Sequence, residues 1–265
     1  MNFAAKLIKR LLWKRRGLRI TYELLDDRSR VEGNCCGTHL NESGDTRPVE
    51  EYVKTFDLET EIRRDDVTDN LLFIDQIIVP LLPRTATVVD VGCGIGRYAR
   101  FLRRPLALTR DWRYIGVERS EEIVRYSRLL CPDCEFKHSA GNTTIPCPDR
   151  SVDLVMASSM LQYTCEGWLD SLREMKRVAK SYIFLSRLPV LRRSATGYCH
   201  QTVTVEGAKN HHRFRLFNRK ELEDALAELG CRVAARDYGS EIISVQRVSE
   251  PVVMNQYLIA KQDPH

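Results

Sequence analysis

Apolar positions in this chain follow two spacings that alternate between residues 87 and 186. Short apolar runs rich in β-branched residues predict five strands, at 87–92, 114–118, 134–139, 152–158 and 182–186. Apolar residues three and four apart predict helices between them, near 97–104, 121–130 and 166–179. Because strands and helices alternate, the pattern predicts a Rossmann-like α/β fold, with a mostly parallel sheet and helices on both faces.

Helical spacing also occurs on either side of this core. One helix is predicted from residue 66 to Pro80, where the proline ends the periodic segment. Another is predicted over 219–229, with Asn218 as its N-cap and Gly230 just past its end. Two final strands, at 231–238 and 255–261, predict an antiparallel edge to the sheet.

The chain is therefore expected to have three parts. Residues 66–265 form one α/β domain, and the segment 187–217 within it is an insertion after the last parallel strand. Residues 18–65 contain a stretch rich in Gly, Asn, Ser and Asp without a sustained period, which predicts an irregular connection or lid. Residues 1–17 place apolar positions on one helical face among bases, which predicts a basic amphipathic helix.

Charge changes the picture mainly at the N-terminus. Six of the 41 Lys and Arg residues lie within 1–16, where there is no acid, and the other 35 nearly balance the 36 acids. A near-neutral body argues against a nucleic-acid partner. Two interpretations of residues 1–16 stay open, a helix docked on the domain and a reversible anchor on an anionic membrane surface.

The lengths of the apolar runs and the number and spacing of the cysteines predict the protein's cellular compartment and whether it binds zinc. The chain has no apolar run of membrane-span length and no signal-peptide core, so we expect a cytoplasmic protein, either free or held at the inner face of the membrane. Nine cysteines then indicate a reducing compartment. Cys131 and Cys134 have metal-ligand spacing, but the adjacent Cys35 and Cys36 do not complete a zinc site, so no metal is expected.

The first predicted strand runs directly into a glycine-rich loop, Asp90-Val91-Gly92-Cys93-Gly94-Ile95-Gly96. A strand that ends in glycines and opens a helix presents backbone amides to a ligand in close contact. The next strand ends in Glu118, whose carboxylate can accept both hydroxyls of a ribose. The spacing differs from the G-x-G-x-x-G of dinucleotide sites, so a nucleoside without a pyrophosphate is expected.

An acidic residue followed by Gly-x-Gly-x-Gly is the first motif of the class I methyltransferases that use S-adenosylmethionine, and residues 70–190 resemble that family. The stretch TTIPCPDRSVDLVMASSMLQY is similar to the family's Pro-Asp-x-Ser-Phe-Asp-Leu-Val element. The resemblance implies S-adenosylmethionine as cofactor, with contacts from Asp90, Gly92, Gly94, Gly96, Glu118, Asn142 and Ser158. Asn142 stands where the family often has an aspartate beside the adenine amino group, and its carbonyl or the backbone would accept that hydrogen bond.

A narrower resemblance begins at the run ASSMLQY and continues through YIFLSRLPV and GYCHQTV to FRLFNRKELEDALAELGCRV. These segments are similar to a group of bacterial methyltransferases whose genes often lie among those for surface polysaccharides. The resemblance implies that the methyl acceptor is an oxygen of a glycan or a glycan precursor.

Candidate catalytic and substrate residues follow the fourth and fifth strands. Methyl transfer from a sulfonium requires alignment and exclusion of water, and a hydroxyl acceptor also benefits from a base. His200 is the first candidate for that role and Tyr163 the second. The candidate substrate contacts are Gln162, Arg187, Gln201, Arg213 and Arg215. The alternatives are a surface histidine, packing residues and solvated arginines, and a carboxylate acceptor would need no base.

Two rival functions stay open. In the first, the acceptor is a small metabolite or a protein side chain, and the insertion 187–217 lines a differently shaped pocket. In the second, the protein has the same fold but no catalytic role and is a scaffold at a membrane surface through residues 1–16. Weak or absent cofactor binding would distinguish the scaffold from the enzyme.

Overall fold

The computed structural model describes residues 19–25, 70–102, 111–141, 144–205 and 208–262. Within these ranges the strands are β1 (Arg19–Leu24), β2 (Thr87–Val91), β3 (Arg113–Glu118), β4 (Glu135–His138), β5 (Val152–Ser158), β6 (Ala179–Leu191), β7 (Gly197–Val205), β8 (Ala208–Asn218), β9 (Cys231–Ile243) and β10 (Val252–Lys261). The α-helices with described bounds are α1 (Arg97–Leu102), α2 (Glu121–Leu130), α3 (Trp168–Val178) and α4 (Arg219–Glu228). The predicted basic helix at 1–17 lies outside the described residues.

The central sheet has the strand order β4-β3-β2-β5-β6-β10-β9. Its first five strands are parallel, and β10 is antiparallel to both of its neighbours. The predicted Rossmann-like fold with an antiparallel C-terminal edge is therefore confirmed. Because parallel strands are covered on both faces, β2, β3 and β5 are apolar almost without interruption.

Two core clusters lie on opposite faces of this sheet. On one face, Val89 and Val155 belong to a cluster that also includes residues of α3 and α4. On the other face, Val88 and Leu154 belong to a cluster that includes residues of α1, α2 and the helical segment 70–81. The strands thus sit between two apolar layers, which fixes the carboxyl ends of β2, β3 and β5 along one edge.

The insertion at 187–217 contains a β-hairpin that the sequence patterns did not predict. Strands β7 and β8 pair antiparallel, and β1 adds to the free edge of β7. The last residues of β8 pair with the extended end of β6, which joins this three-stranded sheet to the central one. We call β1, β7 and β8 the lid sheet. Its buried face packs on a third apolar cluster with residues from the ends of β9 and β10.

Several predicted elements differ from the observed ones. The irregular connection predicted over 18–65 is wrong at its start, because Arg19–Leu24 form β1, and residues 26–65 are outside the described ranges. Strand β6 continues past the predicted 186 because β10 and β8 pair with its second half. The helical segment from 70 widens to a π-helix at Ile74–Ile78 and tightens to a 3₁₀ turn at Val79–Leu81, which contains Pro80.

The start of α4 follows the prediction closely. The Asn218 side chain accepts a hydrogen bond from the Glu221 amide at 3.1 Å, as an N-cap does. Its amide nitrogen also donates to the Ser194 carbonyl at 2.8 Å, so the cap joins the helix to the turn before β7. Gly230 takes a left-handed φ of 65° after the helix. None of the helices in the described ranges has the length and apolar character needed to cross a bilayer.

Candidate active site

The three glycines of the loop after β2 all have left-handed φ values, of 71° for Gly92, 53° for Gly94 and 78° for Gly96. A Cβ on Gly92 would lie 2.7 Å from Cγ of Met160, and one on Gly96 would lie 2.8 Å from Cζ of Phe136. A Cβ on Gly94 would meet no heavy atom of the described residues within 4 Å. The protein's own packing therefore excludes side chains at the outer two positions, whereas Gly94 faces open space.

The Glu118 carboxylate lies beside Gly94 at the carboxyl ends of β2 and β3. Its Oε2 accepts the Gly94 amide at 3.0 Å, and its Oε1 accepts the Arg119 amide at 2.7 Å and the Ser120 amide at 3.3 Å. Ser120 is the N-cap of α2, with its hydroxyl accepting the Ile123 amide. The loop and the helix start thus hold this carboxylate in a fixed orientation next to the open side of Gly94.

Asp90 is the second-to-last residue of β2, just before the loop. It is 1% exposed, and the Tyr114 hydroxyl donates to its Oδ2 at 2.7 Å. Burial raises the pKa of Asp90 to about 7, although the Tyr114 hydrogen bond opposes the shift. The buried carboxyl therefore joins the end of β2 to Tyr114 of β3 just before the loop.

Ser158, the last residue of β5, lies on the same edge of the sheet. The Tyr98 hydroxyl donates to Ser158 Oγ at 3.0 Å and accepts from Asn70 Nδ2, also at 3.0 Å. Both Asn70 and Tyr98 are buried, and neither was identified from the sequence patterns. Their hydrogen bonds connect the helical segment 70–81, α1 and the carboxyl end of β5. Asn142, predicted to contact adenine, lies outside the described residues.

A second group of polar side chains joins the lid sheet to the turn after β5. The Tyr163 hydroxyl donates to Gln201 Oε1 at 3.0 Å, and Gln201 Nε2 donates to the Tyr22 hydroxyl at 3.1 Å. Burial raises the pKa of Tyr163 well above its ordinary value and that of Tyr22 to about 12. Both tyrosines stay protonated at neutral pH, so neither is a phenolate base there.

Gln162 and Arg187 belong to the same region. Gln162 is fully buried, and its Nε2 donates to Ser159 Oγ and to the Arg187 carbonyl, both at 3.2 Å. Arg187 has a φ of 55°, which is uncommon for a residue other than glycine. Its guanidinium lies 2.9 Å from the Glu241 carboxylate of β9. The charge predicted to contact an anionic substrate is therefore already balanced within the protein.

His200 lies apart from this group. Successive residues of a strand face opposite ways, so His200 is exposed on the outer face of the lid sheet while Gln201 is buried on the inner one. Its ring lies 5.7 Å from that of His211. His212, opposite Gln201 in the hairpin register, is the buried histidine, with its ring 6.2 Å from that of Tyr163.

Arg213 and Arg215 also face away from the Tyr163 group. The Arg213 guanidinium lies 4.3 Å from the Tyr198 ring centre and 3.2 Å from the Glu166 carboxylate. Arg215 lies 5.0 Å from the Trp168 ring centre and donates to the Tyr198 hydroxyl at 2.6 Å. These contacts are cation–π packing of the outer lid face against the start of α3.

Comparisons with known proteins show a similarity to methyltransferases over the parallel part of the sheet. Residues 88–181 match the family model of the methyltransferase domain. A trans-aconitate 2-methyltransferase of Variovorax paradoxus is 34% identical over 84 residues, which are 31% of this chain and 30% of that protein. The chain thus matches under a third of the length of this curated relative.

Solved structures of methyltransferases share the fold over more of the chain. A S-adenosylmethionine-dependent methyltransferase of Methanosarcina mazei has a TM-score of 0.56 at 14% identity, covering 71% of this chain and 98% of that one. The magnesium protoporphyrin IX methyltransferase of Synechocystis, solved with S-adenosylmethionine bound, has the same TM-score and identity over 90% of this chain and 98% of that one. The methyltransferase fold is confirmed, and these comparisons support the predicted enzyme class and cofactor.

Three residues of the second group were missed by the sequence patterns, namely Tyr22, His212 and Glu241. All three lie outside the matched segment 88–181. Tyr22 reaches the group through the pairing of β1 with β7, which lie far apart in the sequence. His212 and Glu241 lie on strands whose buried face and pairing no local pattern recorded. In the described part of the chain, no three His, Cys, Asp or Glu side chains cluster as metal ligands would.

Proposed function

We propose that the protein is an S-adenosylmethionine-dependent methyltransferase that methylates an oxygen of a glycan or a glycan precursor. The observation that supports the cofactor in this proposal is the hydrogen bond from the Gly94 amide to the Glu118 carboxylate. A backbone position open on one side, with a fixed carboxylate beside it at the strand ends, has the shape and polarity that a ribose requires. The matching methyltransferase segment and fold support the same cofactor.

The cofactor contacts in this proposal are those of the carboxyl edge. Gly94 supplies the open floor and Glu118 the ribose acceptor, while Gly92 and Gly96 set the loop's path. Ser158 borders the same edge, and Asp90 joins the end of β2 to Tyr114 just before the loop. Asn142 remains our proposed adenine contact. When bound, S-adenosylmethionine supplies an electrophilic methyl group, so no covalent protein nucleophile is needed.

On the acceptor side, the proposal retains Tyr163, Gln162, Gln201 and Arg187. Tyr163 would position the acceptor through its hydroxyl, because its raised pKa keeps it protonated. His200, Arg213 and Arg215 are not retained, because their side chains lie on the outer face of the lid sheet. For a hydroxyl acceptor, the proposed general base is His212, which is buried on the inner face of the lid sheet near Tyr163.

The glycan part of the proposal is supported by the resemblance to methyltransferases encoded near polysaccharide genes. The comparisons include proteins named for trans-aconitate and magnesium protoporphyrin IX, so a small-metabolite acceptor is the second candidate. We also propose that residues 1–16 hold the enzyme at the inner face of an anionic membrane, where lipid-linked glycan precursors are found.

A methyl-transfer assay tests this function. The protein is incubated with S-adenosylmethionine labelled on its methyl group and with separated extracts of lipid-linked glycan precursors, nucleotide sugars, small metabolites and protein. We expect label in a glycan-precursor fraction with the wild type and none with Gly94→Arg. If label appears only among small metabolites, the acceptor is a small metabolite and not a glycan. No transfer to any fraction would contradict the enzyme assignment.

A further inference from the structure

We propose that Tyr22, Tyr163, Gln201, Arg187 and Glu241 form the methyl-acceptor site, and that the balanced Arg187–Glu241 ion pair selects uncharged, hydroxyl-bearing acceptors over anionic ones. The inference rests on the proposed methyltransferase function and adds to it the acceptor's charge class and two residues outside the matched segment, Tyr22 and Glu241.

The position of this group relative to the cofactor edge follows from the turn after β5. Met160, whose Cγ lies against Gly92, is followed directly by the 3₁₀ turn Leu161–Tyr163. Gln162 in that turn holds Ser159 on one side and the Arg187 carbonyl on the other. The same short segment therefore borders the glycine loop and carries Tyr163 into the second group. An acceptor held by Tyr163 and Tyr22 would therefore lie beside the turn that contacts the glycine loop at Gly92.

The hydrogen-bonding groups here suit hydroxyls. Gln201 takes a hydrogen bond from Tyr163 and gives one to Tyr22, so its amide fixes both phenol rings. Tyr22 accepts that bond, and its own O–H is a donor in another direction. Both tyrosines are half-buried and neutral. A sugar hydroxyl, which both donates and accepts, can exchange its water contacts for such groups without carrying a charge into the site.

The charge balance argues against an anionic acceptor. Arg187 and Glu241 approach to 2.9 Å, and their side chains are only 22% and 33% exposed. Glu241 raises the pKa of Tyr22 and Arg187 lowers it, after the larger effect of burial, so both charges act on the same hydroxyl with opposite sign. A carboxylate or phosphate would lose its water and meet Glu241 beside the guanidinium.

The backbone at Arg187 indicates that the pair is held in place. A non-glycine residue at a φ of 55° persists when its surroundings fix it, and here the buried Gln162 amide holds the Arg187 carbonyl. Residues in such conformations often occur at functional sites. The turn after β5 thus holds the Arg187 backbone, and the guanidinium of the same residue contacts Glu241.

Two matched sugars test this selection. Methyl α-D-glucoside and methyl α-D-glucuronide differ only in a hydroxymethyl group and a carboxylate. Saturation-transfer NMR titrations of the full chain, loaded with S-adenosylhomocysteine, give the affinity ratio of the two probes. We expect the wild type to favour the glucoside by about tenfold, which corresponds to about 1.4 kcal/mol. Glu241→Gln should remove or invert this preference, because Arg187 is then unbalanced.

Two further variants separate charge from folding. Arg187→Gln combined with Glu241→Gln restores neutrality and should return the ratio toward that of the wild type. Asp224→Asn, which breaks the exposed pair with Lys220 on α4, should leave it unchanged. An equal or greater wild-type affinity for the glucuronide, a ratio unaffected by Glu241→Gln, or binding of neither sugar to protein that binds S-adenosylhomocysteine would overturn the inference. Failure to bind S-adenosylhomocysteine would instead contradict the proposed function itself.

Discussion

At the scale of single residues, the glycine loop shows that similar residues are present for different reasons. The missing side chains of Gly92 and Gly96 leave space that Met160 and Phe136 occupy. At Gly94 the corresponding space is not filled by any described residue. The loop's shape therefore depends on internal packing at its two outer positions. Its capacity to hold a ligand depends on the middle one.

Alanine substitutions should separate these roles. Gly92→Ala and Gly96→Ala each place a Cβ under 3.0 Å from a neighbouring side chain and at a left-handed φ. We expect the free energy of unfolding to fall by about 2–4 kcal/mol for each, and by only about 1–2 kcal/mol for Gly94→Ala, which carries backbone strain without a clash. Urea denaturation measures the difference, with Gly167→Ala as an open-space control. Equal losses at the three loop positions would contradict this account.

Asp90 should give stability an unusual pH dependence. Its pKa rises from 3.8 when unfolded to about 7 when folded, so between these values the folded state keeps a proton that the unfolded state releases. The free energy of unfolding should therefore fall as pH rises from about 4 to about 7 and then level off.

Asp90→Asn removes that slope. Relative to the wild type, the variant should gain up to a few kcal/mol in stability between pH 5 and pH 8, at about 1.4 kcal/mol per pKa unit. Urea denaturation at the two pH values measures the gain, and parallel pH profiles for the two proteins would count against a buried, protonated Asp90.

Residue roles could be predicted where they depend on nearby sequence. The glycine loop and Glu118 were found because their chemistry follows directly from the ends of two strands. His200 was chosen and His212 was missed because the sequence does not reveal which face of the strand is buried. That face is decided by pairing of β7 with β8 and β1.

At the scale of elements, the turn before β7 is held by residues distant in sequence. The Glu250 carboxylate accepts the backbone amides of Arg192, Arg193 and Ser194 at 2.6–3.3 Å. Partial burial alone would raise the pKa of Glu250, but these hydrogen bonds lower it to about 2. One carboxylate thus joins the loop before β10 to the entry of the lid sheet.

Glu250→Gln should lose this support in a defined pH range. The folded-state pKa is lowered, so the stabilisation is present above the unfolded pKa of about 4.5 and disappears as pH falls toward 2. We expect the variant to be less stable than the wild type at pH 7, with the gap narrowing below pH 4.5. Thermal denaturation at several pH values measures this, and Glu228→Gln provides an exposed glutamate control. A constant gap down to pH 2.5 would refute the role of the charge.

Elements could be predicted where periodicity is local. The parallel strands and the N-cap of α4 appeared near their predicted positions because each depends on neighbouring residues. Strand β1 did not, since it pairs with β7 far along the chain. The lid hairpin was missed although its two strands are adjacent in the sequence and pair locally. The second half of β6 was missed because it is defined by its partners β8 and β10.

At the scale of the whole molecule, the proposed cofactor site lies at the carboxyl edge of the central sheet, and the lid sheet is joined to that sheet through β8 and β6. The segment 88–181 matches the methyltransferase domain, whereas the lid sheet and β9 contribute residues beyond it. The fold and cofactor class could therefore be predicted from the sequence. The proposed acceptor group could not, because its residues come together only when β1, β7 and β9 meet in three dimensions.

The concentration of bases in residues 1–16 predicts membrane attachment of the whole molecule. The full chain should sediment with vesicles containing phosphatidylglycerol and much less with pure phosphatidylcholine vesicles, because each base near an anionic surface contributes about 1 kcal/mol. A chain lacking residues 1–17 should stay in solution with both. Equal sedimentation of the two chains would place these residues on the domain instead.

Isothermal titration with S-adenosylmethionine, S-adenosylhomocysteine and NAD tests the central claim most directly. The wild type and the Gly167→Ala control should bind the two adenosyl ligands and not NAD. Gly94→Arg should lose binding because its side chain occupies the open floor. Glu118→Ala should weaken binding about tenfold or more, through loss of hydrogen bonds to a charged group. A folded wild type that binds neither adenosyl ligand, or unchanged binding in Gly94→Arg, would contradict the account.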